Sequence, residues 1–491
     1  MKQQKTSNFY QALWLFISQC NSLALVIVSA AVLSRYFTKS EYGTYKQVMY
    51  VYATLHTVFV AGLPGIFSYF IPRLSDGQGK TLVNRFTLVL GFLGALFSIV
   101  LFFGAPLIAQ ALKNPELTDG LKIFALVPLF TLPTLGVEGI YTALRKTNQV
   151  AFYQIVSKSF NLLCVIAPVF LLGGSYKTAI AGWTVASLLI FIFALWMKSR
   201  PYVSIKPELI PNMYKSVFGY SLPLMGASIV GMFLHAANQF FVSRYYGTVI
   251  FAEFSNGYIS VPFIGMIAGS VKNVLTPLFS KANFEGNIQH ILLTYKNSVV
   301  KVADIVFPLL LFCMFFAKDI MIVLYGNQYA VSTIYFQIAI LKEICEVLPY
   351  LAILLAFGKS NVYFYIHLFA AICIWTVNAW IVYNHFHPAF IAVASSVTQI
   401  LMVSFVYWYF NHVLKIKLIR PIIKHILIVC LHASIILFAV YLIRTTCLND
   451  LFSMICLFIC IAIFYPILAI SGKIVKINYL EVFITLFKKK L

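Results

Sequence analysis

A chain this poor in charge places each buried ion with consequence, since an ionisable group inside a membrane is costly unless a cavity or partner relieves it. Lys342, Glu343 and Glu346 fall within the apolar run "IAILKEICEVLPYLAIL". As an α-helix this run puts Lys342 and Glu346 one turn apart on one face, able to pair, with Glu343 rotated by about 100° from Lys342. The chemistry offered is a protonatable or cation-binding carboxylate that could respond to an ion gradient; the plain alternative is an internal salt bridge. Lys272 lies in another apolar run, five residues before Pro277, and would meet an anion there. Lys158 sits nearer a span end and can snorkel. Arg35 and Arg244 stand in matching settings, Ser34-Arg35-Tyr36 and Ser243-Arg244-Tyr245. A planar guanidinium binds two phosphate oxygens at once, or it anchors a helix end at the headgroups beside an interfacial tyrosine. "NHFHP" (Asn384 to Pro388) offers two histidines with no carboxylate or cysteine nearby, and no C-x-x-C spacing occurs, so no metal site is expected. No G-x-x-x-x-G-K-[ST] occurs either, which excludes a P-loop and the ATP-driven work that motif supports.

The elements that must position these groups are membrane helices. The chain has 491 residues, 61% hydrophobic and 10% charged, with a mean hydropathy of +0.89. Apolar runs of about 20 residues recur from end to end, each able to cross about 30 Å of hydrocarbon. The fold class expected is an all-α polytopic membrane protein of about 14 transmembrane helices, beginning near Tyr10, Thr44, Arg85, Leu121, Ala151, Thr178, Tyr214, Ser255, Asn297, Ser332, Val362, Ala389, His425 and Leu451. A β-barrel would show short alternating segments instead. The net charge of +22 then reflects topology rather than a nucleic-acid partner: with the N-terminus inside, the inner loops and tails hold about 23 basic residues and the outer connections about 9. Both termini are expected in the cytoplasm. The N-terminal "MKQQKTSNFYQALWLF" lacks a small-residue cleavage site and reads as a retained first span.

The matching turns recur at an offset of about 209 residues, and the match continues without a gap: Tyr42-Gly43 and Tyr45 fall on Phe251-Ala252 and Phe254. Both copies occupy equivalent outer connections, which implies a parallel duplication and two bundles around a cleft. The expected organisation is an N-terminal six-helix lobe over residues 1–198, a Pro-rich cytoplasmic linker over 199–213, a second lobe over 214–412, and extra helices 13 and 14 with a basic tail over 413–491.

"LSRYFTKSEYGTYKQ", "GLPGIFSYFIPR" (Gly62 to Arg73), "LTPLFSKANFEGN" (Leu275 to Asn287) and "FAKDIMIVLYGNQYAVSTIYFQI" (Phe316 to Ile338) resemble the Wzx-type O-antigen and capsule flippases of the MOP superfamily, which also contains MATE exporters and lipid II flippases. The resemblance implies two lobes around a central cavity, no catalysis, no cofactor, and a polyprenyl-pyrophosphate-linked oligosaccharide as substrate in a bacterial cytoplasmic membrane, with other polysaccharide-assembly proteins as partners. It gives Arg35, Arg244 and Lys272 to the pyrophosphate. His56 joins them because lipid II flippases carry an arginine in that region; the different residue type argues against an identical clamp. Some relatives bind sodium with carboxylates between spans 7, 11 and 12, where this chain has His235 and Asn378. Two other readings compete. A membrane polymerase or glycosyltransferase of the same pathway would carry a large outer loop or acidic residues in the first one, whereas only Glu41 stands there. A MATE-type exporter of organic cations would need an acidic cavity.

Overall fold

Long apolar runs fold as helices because a backbone in hydrocarbon must satisfy its own polar groups. The computed structural model describes residues 8–60, 62–261, 263–418, 420–448 and 452–479, and it contains helices and no strand among them. In chain order these are α1 (Asn8–Tyr36), α2 (Lys39–Val60), α3 (Pro64–Phe70), α4 (Asp76–Ala111), α5 (Leu117–Phe124), α6 (Val127–Thr131), α7 (Val137–Ala143), α8 (Thr147–Leu171), α9 (Tyr176–Ser199), α10 (Met213–Gly257), α11 (Ile264–Phe284), α12 (Ile288–Phe315), α13 (Ala317–Tyr325), α14 (Thr333–Glu343), α15 (Tyr350–Ala356), α16 (Ser360–Tyr383), α17 (Ala389–His412), α18 (Arg420–Cys447) and α19 (Ser453–Ser471).

Eleven helices among the described residues are long and apolar enough to cross a membrane, or twelve if the bent pair α2–α3 is one span. The chain is a multi-pass membrane protein. The expected count of about fourteen is not reached on this criterion, and two segments account for the difference. The segment expected from Ser255 becomes the end of α10 and then α11, which carries Lys272 and Lys281 in 21 residues. The segment expected from Ser332 breaks: α14 gives way to a 3-10 turn at Ile344–Val347, Leu348 is extended, and α15 starts again after Pro349. A residue before proline is sterically pushed out of the α region, so this break is local chemistry.

By contact density the chain forms two compact units, residues 1–252 and 253–491. In the first, α4 starts with a capping box: Ser75 Oγ accepts from the Gln78 N–H, and Gln78 Oε1 accepts from the Ser75 N–H. The segment expected as a linker is pinned to that helix end, since the Glu208 N–H donates to the Gly77 carbonyl and Lys80 Nζ to the Ile205 carbonyl, at 3.1 and 2.7 Å. Lys198 is buried and donates to the Pro133 carbonyl at 2.6 Å and to Thr87 Oγ1 at 3.2 Å. In the second unit, α12 packs along α18, and two polar contacts join α18 to the rest: His425 Nε2 to Asp304 of α12 and the Arg444–Asp319 ion pair with α13, both at 2.6 Å.

Candidate functional site

The two copies of the repeated turn meet inside the first unit. Ser40 Oγ lies 3.0 Å from Thr248 Oγ1. A Cβ on Gly43 would collide with the Thr248 carbonyl, so glycine is what lets α2 approach α10 there. Beside this contact is a buried polar chain: Gln47 Nε2 donates to Ser243 Oγ at 2.8 Å, and Asn114 Nδ2 donates to Gln47 Oε1 at 2.6 Å and to Thr44 Oγ1 at 3.0 Å. Arg244 donates to the carbonyl of Ala111, the last residue of α4, and lies over the Tyr245 ring at 5.4 Å. It thereby serves one of the carbonyls that a helix C-terminus leaves unsatisfied. Arg35 is exposed and donates to its own helix at the Ala31 carbonyl, 2.9 Å away. His56 is half-buried, its ring 5.3 Å from that of Tyr52.

In the second unit Lys272 is half-buried on α11, and its ammonium has no hydrogen-bond or ion-pair partner among the described residues. Lys342 places its ammonium 4.6 Å over the ring of Tyr258, a cation–π contact. Glu343 is buried. Because α14 ends at Glu343, the α-helical spacing assumed between Lys342 and Glu346 is not kept; Glu346 lies on the 3-10 turn, and its side chain lies outside the described ones.

The sequence reading missed a cavity of about 700 Å³ within the first unit, lined by α1, α2, the α6–α7 turn, α8 and α9. Its polar lining comes chiefly from one stripe on α8: Gln154, Ser157, Lys158 and Asn161, spaced i, i+3, i+4 and i+7 as one helix face requires. Lys46 of α2 and Glu138 of α7 complete the charges. Lys46 is half-buried, with its ammonium 5.3 Å from the centre of the Tyr42 ring. Ser157 is only 8% exposed, and neither its Oγ nor Gln154 Oε1 has a hydrogen-bond partner among the described residues. Tyr45, Tyr52, Tyr153 and Trp183 supply ring surface. The signal that could have found this site was the polar stripe itself, of which the sequence reading weighed Lys158 alone. No group of histidines, cysteines and carboxylates able to hold a metal occurs among the described residues.

Residues 32–334 match the family described as "Polysaccharide biosynthesis protein". The chain is 25% identical over 331 residues to the succinoglycan biosynthesis transport protein ExoT of Rhizobium meliloti (strain 1021), an alignment covering 65% of this chain and 62% of that protein. Among solved structures it is similar to the lipid II flippase MurJ in an inward closed conformation, with a TM-score of 0.66 and 17% identity over 95% of this chain and 100% of the other. It is also similar to an inward-facing multidrug resistance MATE transporter of the MOP superfamily, with a TM-score of 0.64 and 12% identity over 80% and 96% of the two chains. At these identities the structural matches establish a shared fold.

Proposed function

The chain belongs to the family of polysaccharide biosynthesis proteins, and on that footing we propose that it is a flippase carrying a polyprenyl-pyrophosphate-linked oligosaccharide across the bacterial cytoplasmic membrane. The observation that carries this reading is the family match, which starts at Val32, two residues before the repeated turn, and runs into the motif that begins at Phe316. A relative described as a transport protein of succinoglycan biosynthesis and a fold shared with a lipid II flippase support it. The protein acts as a transporter and not as an enzyme, with both termini in the cytoplasm as the basic residues of the loops favour, and works beside other proteins of polysaccharide assembly.

In this reading residues 1–198 and 214–412 form the two lobes that the repeat implies, and helices α18 and α19 are additions to them. Lys272 contacts the pyrophosphate, with Arg35, Arg244 and His56 as further contacts. Lys342, Glu343 and Glu346 form the coupling cluster. The test follows a fluorescently labelled polyprenyl-pyrophosphate oligosaccharide in proteoliposomes. The protein should speed its movement between leaflets well above that in protein-free vesicles. Equal rates, or a labelled glycan that grows longer instead of moving, would overturn the proposal.

A further inference from the structure

We infer that the cavity inside the first unit is a saccharide-binding subsite that takes a sugar residue carrying a carboxylate. This rests on the flippase reading for its biological role, though the binding chemistry is read from the cavity alone. A volume of about 700 Å³ is in the range of small-molecule sites and holds a short oligosaccharide. The lining is mostly apolar, but it carries a stripe of polar side chains on α8 where a membrane bundle has every reason to be apolar throughout. Among the described residues Gln154 Oε1 is an acceptor without a donor, and Ser157 Oγ is more than nine-tenths buried without a partner. Buried polar atoms are normally satisfied, so a ligand rich in hydroxyl groups would complete them: its O–H donates to Gln154 Oε1 and accepts from Ser157.

Charge narrows the ligand. Lys46 and Lys158 outnumber Glu138 in the lining. An organic cation would meet two ammonium groups, and a lipid tail would leave every polar group unsatisfied. A sugar carboxylate pairs with an ammonium, and Glu138 accepts from sugar hydroxyls. The tyrosines and Trp183 offer rings against which the apolar face of a sugar packs. The other source of the same anionic chemistry is a phosphate group, and the experiment separates the two.

The full chain in lipid nanodiscs is titrated by saturation-transfer NMR with a trisaccharide containing one hexuronic acid, with its neutral counterpart, and with inorganic phosphate as competitor. The acidic trisaccharide should bind about tenfold more tightly than the neutral one, the value of one charge-assisted contact. Lys158→Gln should erase that preference, Lys158→Arg should keep it, and Gln154→Leu should weaken both trisaccharides alike. Equal binding of the two by the unmodified chain, a preference that survives Lys158→Gln, or displacement of the acidic trisaccharide by an equal concentration of phosphate would each overturn the inference. The proteoliposome assay runs in parallel: binding without transport removes the flippase role and leaves the subsite, whereas transport without preferential binding removes the subsite and leaves the flippase.

Discussion

Asn114 ties three parts of the first unit together with a single amide, between Thr44 and Gln47 of α2, which itself reaches Ser243 of α10. All four side chains are buried, so removing the amide leaves acceptors that water cannot reach. Asn114→Leu should therefore cost about 1–3 kcal/mol, visible as a lower unfolding temperature of the detergent-purified protein; an unchanged midpoint would mean that the chain relaxes around the loss. Gly247 is fixed by backbone rather than by space: it bends α10 with φ at 82° and ψ at 177°, a region essentially closed to other residues. Gly247→Ala should cost about 1–3 kcal/mol for that reason, and a midpoint equal to that of the unmodified protein would show the bend to be dispensable. Lys272 differs from both, because its ammonium has no hydrogen-bond or ion-pair partner among the described residues whose loss would matter to the fold. Lys272→Ala should leave the protein level intact and reduce surface glycan in a strain lacking its own transporter. Losing a charge-assisted contact of about 1.5–3 kcal/mol weakens substrate capture by roughly ten- to a hundredfold. Lys272→Arg should retain much of the function, and full glycan from Lys272→Ala would return the residue to a snorkelling role.

Helix α18 is held by two polar contacts 19 positions apart in sequence, the His425–Asp304 hydrogen bond and the Arg444–Asp319 ion pair, which places them about 28 Å apart along the helix. The Arg444 pair has fork geometry, Nε to one carboxylate oxygen at 3.1 Å and Nη2 to the other at 2.6 Å. Breaking a buried pair strands a charge, whereas replacing both partners with apolar groups is often nearly neutral. Arg444→Leu should thus lower the unfolding temperature more than Arg444→Leu combined with Asp319→Leu; equal losses would mean that the pair contributes only packing. How far such elements were legible depends on range. The apolar runs of α4, α8 and α12 and the break before Pro349 are local and could be read from the sequence. The burial of Lys198 against the Pro133 carbonyl and the docking of Arg444 on Asp319 are long-range. Nothing in the neighbours of these two cations along the chain names their partners. The α8 stripe was legible by its spacing, yet only the cavity shows that the four residues share an open face rather than a helix contact.

At the scale of the whole molecule, the proposed transport by a chain without a P-loop must draw on a gradient or on the substrate's own free energy. The described spans contain few acids that could sense a gradient, and Glu343 is the one that combines deep burial with the coupling cluster named from the sequence. Its position is suited to such a role: α14 stops there, and the chain continues through a 3-10 turn, an extended residue and a new helix. Broken helices in transporters expose backbone groups only where protein or a cavity receives them, so a carboxylate at the break is placed where a bound proton or cation can act on the geometry of the chain. Glu343→Gln keeps shape and hydrogen bonding while fixing the neutral state. In proteoliposomes with an imposed pH or sodium gradient, the unmodified protein should transport faster in one gradient direction than in the other. The Glu343→Gln protein, reconstituted at equal amount, should transport at one rate in both directions, because the group that binds the coupling ion can no longer change charge. Retained directionality in the variant would assign Glu343 to helix packing and move the search for coupling to the other acids of the second unit, with Asp304 next because it is buried against His425.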